Sequence, residues 1–337
     1  SDEPVPSRHT NIWQSVKMAD TFVELGYEVE VISWKNHSYI PAGEYVAFVD
    51  VRRNMERIAP MLNKECVKIV HLDTSHILFH NAAEARRLLE LQERRGITLQ
   101  PRRFERPNLA IEHADFATTG GNDAAVETFK YAGKPISKLP SPCATEYDWP
   151  ESKDWDRSRR RFLWFSSSGL VHKGLDLVLD AFSELPDCHL TICAPINRDT
   201  DFIQAYHREM YELPNVETIG WVDIEGEQFK RIAENSSAVL HTSCSEGGAP
   251  SVKTCMHAGL IPIVSYETAV DVGEFGVTLE VCMVDVIKKS VLNIASLPKG
   301  ELECRSRMAW EFARRYHTRE NFAKQYQKVI ADMLARR

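Results

Sequence analysis

The chain's most chemically suggestive residues lie between Ser243 and Ser265. The segment opens as Ser243-Cys-Ser-Glu-Gly-Gly-Ala-Pro250, continues through a short amphipathic stretch to Gly259, and ends in Ile261-Pro-Ile-Val-Ser265. The pattern predicts a strand end, a glycine-loosened acidic loop, a helix and a second strand. Pro250 suits a first helical position, where a missing N–H costs nothing, and Gly259 suits the left-handed turn past a helix end. Gly247 and Gly248 allow close backbone approach to a ligand, and the free N–H groups of the helix start attract an anion. Glu246 stands beside that anion site and, being a carboxylate, is suited to neutral hydroxyls instead. An anion site with an adjacent hydroxyl acceptor fits a sugar linked to a diphosphate.

A second candidate loop is Phe165-Ser-Ser-Ser-Gly-Leu-Val-His-Lys-Gly-Leu-Asp176. It follows an apolar strand pattern and opens a helical one, the place where α/β folds put phosphate-binding loops. It has neither a Walker A nor a Rossmann glycine pattern. Ser166, Ser167, Ser168 and Gly169 supply small donors. Lys173 supplies a cation at a helix start, where it opposes the helix dipole unless an anion arrives. A polar loop with a solvated lysine is the plainer alternative.

The elements that must position these loops alternate along the whole chain. Apolar runs predict strands at Val29–Ser33, Val46–Asp50, Val67–Asp73, Phe116–Thr118 and Ile136–Leu139 in the first half. In the second half they fall at Phe162–Ser166, His189–Ala194, Val216–Trp221, Ala238–His241, Ile261–Ser265 and Val277–Leu279. Helical patterns lie between them, among them Gly174–Leu185, Asp201–Leu213 and Glu225–Asn235. An early helix is expected from Asn11, with Gln14 in capping-box spacing and Trp13, Val16, Phe22 and Val23 on its apolar face. The alternation implies parallel sheets covered by helices on both faces. Pro140, Pro142 and Pro150, then the charged run Ser152–Arg161, mark a break. The fold class expected is therefore α/β, with two Rossmann-like doubly wound domains facing a cleft. Ser1–Arg8 is polar with two prolines, so a first strand is either unusual or upstream.

At 337 residues, two domains can each bury a core. A net charge of -7 and a pI near 6.0 exclude bulk nucleic-acid binding. No apolar run reaches membrane-span length. The eight cysteines include no Cys-x-x-Cys pair and several lie in strand-like runs, so reduced thiols in a cytoplasmic protein are expected. No aspartate pair or histidine cluster near the cleft has metal-ligand spacing, so no metal is expected. Arg102-Arg103 and Arg157–Arg161 could touch an anionic lipid or polymer, allowing peripheral membrane contact, although charge runs are usually solvated. Tyr147, Trp149 and Trp155 suit either sugar stacking or packing at the junction.

The His172-Lys173-Gly174 and Ser245-Glu246-Gly247 loops, their spacing, and the strand entry from Gly259 to Ser265 resemble the retaining, nucleotide-sugar-dependent glycosyltransferases of family 4, which have the GT-B fold. The resemblance covers Phe162 to about Val329, and the first half only in strand order. It implies that Glu246 faces the donor sugar, that amides at Gly247, Gly248 and Ala249 hold phosphates, and that Lys173 neutralises the diphosphate. Ser167, Ser168 and Gly169 would line the same donor site. A loop histidine at about His76 would contact the sugar, with His80 the alternative. His9 and Asn11 stand where the family has a glycine-rich loop, and Asn122 and Asp123 face the expected cleft. The resemblance also implies an acceptor domain over 1–143, a donor domain over 144–318, and a helix over 319–337 packing back on the first domain. Partners would be a nucleotide-sugar donor and a carbohydrate, lipid-linked or small-molecule acceptor. Two positions depart from the pattern. Ser168 replaces an arginine five residues before the lysine, and Thr254 replaces a second glutamate that holds the donor ribose. A catalytically silent binding or scaffold subunit is thus an alternative, and an epimerase or phosphorylase on the same fold a third.

Overall fold

The computed structural model describes residues 10–336, which form two parallel sheets. The first has four strands in sequence order: β1 (Ala47–Asp50), β2 (Val67–Leu72), β3 (Phe116–Thr119) and β4 (Ile136–Lys138). The second has six: β5 (Arg161–Phe165), β6 (His189–Cys193), β7 (Val216–Thr218), β8 (Ala238–His241), β9 (Ile261–Ser265) and β10 (Val277–Leu279). Their spatial order, β10-β9-β8-β5-β6-β7, is that of a doubly wound Rossmann sheet. Central strands β8 and β9 are buried throughout, as near-continuous apolar runs in a parallel sheet must be.

Ten of the eleven expected strands are present. Val29–Ser33 is not one of them. Its alternation suits a half-buried strand, but among the described residues no strand pairs with it, and Val31 is 76% exposed. The early helix runs from Thr10 to Glu24, so Asn11 lies inside it and does not cap it. Its buried positions are Gln14, Met18 and Thr21, while Val16 and Val23 face outward. Gln14 turns inward to His71, with the two side-chain nitrogens 3.3 Å apart. The pattern over Asp201–Leu213 resolves into two short helices, Thr200–Ala205 and His207–Tyr211. Between them the fully buried Tyr206 ring stacks on Phe202.

The C-terminal helices cross back as expected. Helix Lys299–Tyr316 buries Leu302, Ala309 and Ala313 on the second sheet's side. At the turn, the His317 carbonyl accepts from the Cys143 amide at 3.0 Å and from His257 Nε2 at 3.0 Å. Thr318 then caps helix Arg319–Ala335, which buries Phe322, Tyr326, Ile330 and Met333 against Val67, Ile69 and Leu139 of the first sheet. Both Pro250 and Gly259 take the positions their conformations favour: Pro250 starts helix Pro250–His257, and Gly259 follows it at φ 72°.

A second crossing joins the halves. Helix Ile77–Arg95 leaves the carboxyl end of β2, yet Leu91 and Leu99 belong to the second sheet's core. Arg94 pairs with Asp176 at 2.7 Å and Asp180 at 3.0 Å, and Arg95 pairs with Glu209 at 3.0 Å. The arginine pair Arg102-Arg103 is part of the same junction, since Arg102 holds Asp201 at 2.5 Å. No helix among the described residues is long and apolar enough to cross a membrane. None of the eight cysteines forms a disulfide, and six of them are buried.

Lys253 adds a buried clasp across the junction. It is 2% exposed, and its ammonium donates to the Gly120 carbonyl at 3.0 Å. Burial pushes its pKa down to about 7 from 10.5, with Asp271 pulling weakly the other way. Between those values the unfolded chain holds a proton that the folded chain has released, so this contribution to stability grows as pH rises above 7 and is lost as pH falls back through it. Relative to Lys253→Met, the native protein should gain at most about 1.4 kcal/mol per pH unit between pH 7 and 8.5. Urea denaturation of both across that range checks this, and parallel curves would contradict it.

Candidate functional site

The strand order of the second sheet reverses between β5 and β8, and ligands of doubly wound sheets bind outside the carboxyl ends of the strands at such a point. The loop after β5 carries Lys173, and the loop after β8 carries Glu246. Topology alone therefore brings the two candidate loops together. Gly174 makes the approach possible: it has φ 76°, and a Cβ there would overlap the Thr242 backbone carbonyl and hydroxyl. His172 Nε2 donates to the Ser245 carbonyl at 2.8 Å, and the Cys244 amide donates to the His172 carbonyl at 2.9 Å. Burial holds the His172 imidazole well below its usual pKa, so it stays neutral with its proton on Nε2.

Across this seam Lys173 Nζ forms a short ion pair with Glu246 Oε1. Lys173 is 4% exposed, and His241 Nε2 lies 3.4 Å from the same carboxylate oxygen. Burial alone would raise the Glu246 carboxyl, but Lys173 and His241 outweigh it and hold the group well below the ordinary carboxylate range. The seam's one strong cation and one strong anion neutralise each other.

A second carboxylate occupies the other donors. Asp199, 2% exposed, accepts from the Gly169 amide at 3.0 Å and the Leu170 amide at 2.7 Å. Of the serines before them, Ser167 is exposed and Ser168 half-buried. On the other loop, Ala249 takes φ 26° at the helix start, a conformation that L side chains rarely adopt, and no side chain caps that helix. Thr254 faces inward. Its hydroxyl donates to the Pro250 carbonyl at 3.1 Å, lies 3.5 Å from the Cys143 thiol, and is 4% exposed as a residue.

The first domain meets these loops through different residues from those its sequence suggests. His76 caps helix Ile77–Arg95, and its ring sits against Phe129 and Tyr131, with Nε2 3.0 Å from the Tyr131 hydroxyl. Its contacts stay within the first domain, at Thr128, Phe129 and Tyr131. His80, one turn on, lies 3.1 Å from the Ser245 hydroxyl through Nδ1 and donates from Nε2 to the Arg103 carbonyl at 2.9 Å. Its ring lies 4.6 Å from that of His172. The Ser75 hydroxyl donates to the Glu246 carbonyl at 2.8 Å. A Cβ on Gly247 would come within 2.5 Å of the Asp73 carbonyl, and one on Gly248 would overlap that of Gly120. Backbone from both domains therefore fills the crevice at Glu246. The adjoining cavity, bounded by Arg52, Asp73, His76 and Phe129, has a volume of about 30 Å³, large enough for water.

Asn122 caps helix Asp123–Glu127 and donates to Asp271 at 2.9 Å across the junction, while Asp123 pairs with Lys138 at 2.7 Å. Asn11 lies within the first helix, and His9 lies outside the described residues. Tyr147, Trp149 and Trp155 are buried, Trp149 stacked on Trp155 and set against Trp310, and Tyr147 against Phe229, so they pack within the second domain. His80, the alternative to His76, is the histidine that reaches the site, and His172 of the lysine motif joins it; His241 and Asp199 join it unannounced. Asp199 alone left a signal, as a carboxylate beyond the end of the strand next to β5.

No protein-family model matches the chain, and neither does any curated protein. Solved structures similar to it include S. aureus TarM in complex with fondaparinux, alpha-GlcNAc-glycerol and UDP, at TM-score 0.56 and 11% identity, over 80% of this chain and 51% of that one. Another is Anabaena HepE in complex with UDP and glucose, at TM-score 0.53 and 14% identity, over 81% and 72%. A third is the pneumococcal O-GlcNAc transferase GtfA in complex with UDP and GlcNAc, at TM-score 0.51 and 16% identity, over 80% and 53%. The chain spans about half the length of TarM and GtfA. At these identities the likeness is one of fold: two parallel sheets, of four and six strands, and a C-terminal helix that returns to the first, the GT-B architecture.

Proposed function

We propose that this chain is a cytoplasmic glycosyltransferase of the family 4 kind, which moves a sugar from a nucleotide diphosphate sugar to a carbohydrate, lipid-linked or small-molecule acceptor with retention at the anomeric carbon. The observation that carries the reading is the Lys173–Glu246 pair at the switch point, one member from each loop. Similar folds solved with UDP and a sugar support it. In the proposed reaction the diphosphate takes Lys173 from Glu246, and the released carboxylate accepts hydroxyls of the sugar. Negative charge grows on the leaving diphosphate as the glycosidic bond breaks, and Lys173 with the amides from Gly247 to Ala249 would stabilise it without a metal. The proposed division of labour assigns the acceptor to residues 1–143, the donor to 144–318 and the returning helix to 319–337.

A specific observation favours a second reading, a catalytically silent binding or scaffold subunit. The chain's own carboxylates, Glu246 and Asp199, already hold the cation and two loop amides that an anionic donor would use. A donor must displace them, and must part Gly247 and Gly248 from the first domain's backbone.

Glu246→Gln separates the readings. Removing the competing charge from Lys173 should preserve or tighten nucleoside diphosphate binding by calorimetry, yet cut turnover of the intact donor at least about tenfold, the scale of one charge-assisted hydrogen bond. Lys173→Met should lose both. Loss of diphosphate binding in Glu246→Gln would make Glu246 a support for the loop alone. Transfer or hydrolysis by the native protein, tested over a panel of nucleotide sugars, distinguishes an enzyme from a silent subunit.

Thr254 gives a further test. The resemblance suggests that an acid here would hold a ribose, but Thr254 is packed beside Cys143 within the second domain. Thr254→Glu should therefore lower the melting temperature, through a buried and poorly paired carboxylate costing on the order of 3 kcal/mol, without tightening any donor. Tighter donor binding with unchanged melting would restore the ribose role.

A further inference from the structure

The loop after β5 lacks a second cation of its own, since Ser168 and its neighbours are neutral. The first domain brings one. Arg103 has its backbone pinned from two sides by helix Ile77–Arg95: its amide donates to both Glu84 carboxylate oxygens at 3.0 Å, and its carbonyl accepts from His80 at 2.9 Å. The side chain then runs directly over Gly169. A Cβ on that glycine would sit 2.5 Å from Arg103 Cγ and 2.8 Å from Cδ. Gly169, at φ 88°, is thus the bare patch on which Arg103 lies. Arg103 Nε is buried there with no hydrogen-bond partner. Its neighbour Arg102 differs in this respect, since Arg102 is used up by Asp201.

Two positive groups thus converge on one loop, Lys173 from within it and Arg103 from the other domain. The Arg103 charge is near enough to oppose that of Lys173. Lys173 has a carboxylate bonded to it, whereas the carboxylate near Arg103, Glu84, is spent on backbone amides and leaves the buried Arg103 Nε without a hydrogen-bond partner. An uncompensated donor in a cationic pair is stabilised by an oxyanion that spans both, and the fork of a guanidinium suits phosphate oxygens.

We infer that Arg103 is a second ligand for the donor's diphosphate, supplied across the domain junction to the loop that carries Lys173. This rests on the reading of the switch point as a nucleotide-sugar site. The diphosphate would take one oxygen contact from Lys173 and another from the Arg103 fork, so donor binding would need both domains and not the second alone.

Calorimetry on the full chain with inorganic pyrophosphate tests this independently of the nucleotide base. The native protein should bind, Arg103→Gln should bind about tenfold more weakly or worse, and Arg103→Lys should recover part of the loss. Arg157→Gln, which removes the same charge from an exposed site, should bind as the native protein does. Uridine diphosphate should show the same fold loss in Arg103→Gln, which places the effect on the diphosphate. A purely structural role for Arg103 would lower the melting temperature without recovery of binding in Arg103→Lys, and that result overturns the inference. If Arg103→Gln does not fold, Arg103→Lys with a native melting temperature serves instead: weakened pyrophosphate binding upholds the inference, and native binding overturns it. Native affinity in Arg103→Gln alongside loss in Lys173→Met overturns the role of Arg103 and leaves the donor site standing. Absence of binding by the native protein to pyrophosphate and to uridine diphosphate overturns both.

Discussion

The site depends on one face of one helix. Along Ile77–Arg95 the inward positions are His80, Glu84, Arg87, Leu91 and Arg94, spaced by three or four residues and therefore stacked on one side. Each meets a different part of the molecule. His80 reaches Ser245, Glu84 holds the backbone of Arg102 and Arg103, Arg87 donates to the Thr242 carbonyl at 3.2 Å, Leu91 enters the second core, and Arg94 spans Asp176 and Asp180. Burying such charges is costly unless each finds a partner. The partners of His80 Nδ1, Arg87 and Arg94 come from the other domain, while those of Glu84 lie on the first, so much of the cost is offset only when the halves are docked in this register. The register of the helix then fixes the register of the two loops at the switch point.

Satisfaction of buried charge extends into the crevice itself. Glu246 answers Lys173, and Asp199 answers the Gly169 and Leu170 amides. Removing either carboxylate would leave a buried cation or buried donors exposed to a low-dielectric interior, which is the expensive outcome. An incoming anion supplies Lys173 and the amides with a new partner but must find one for each carboxylate it displaces. Binding there is an exchange of counter-charges, with a net gain set by the difference between the ligand's contacts and those of Glu246 and Asp199. Water exclusion follows from the same packing. Gly247 and Gly248 lie against the backbone at Asp73 and Gly120, so packed backbone covers the loop at Glu246.

The architecture was legible because it is written in apolar runs. The four central strands of the second sheet are nearly all buried on both faces, and they read as such along Phe162–Trp164, Leu190–Cys193, Ala238–Leu240 and Ile261–Val264. The returning helix was legible for the same reason, since Phe322, Tyr326, Ile330 and Met333 repeat at helical spacing. Val29–Ser33 shows the limit: its alternation is real, but a strand needs a partner, and that requirement is not local. The candidate loops were read from Lys173, Glu246 and their glycines. Their pairing came from strand order, which no single loop discloses.

The first domain's contribution was hidden by polarity. A helix stripe of histidine, glutamate and arginine looks like a solvated face, because binary patterning equates charge with exposure. Only its partners on the second domain, Asp176, Asp180, Glu209 and Thr242, turn that stripe into an interface, and they lie more than 80 residues away in sequence. The same argument accounts for His76 and His80. Both follow β2, and spacing cannot rank them, but the helix that begins at Ile77 turns the second toward Ser245 and leaves the first to cap its end against Tyr131. A residue's distance from a strand end is thus a weaker guide to the cleft than its phase on the helix that follows.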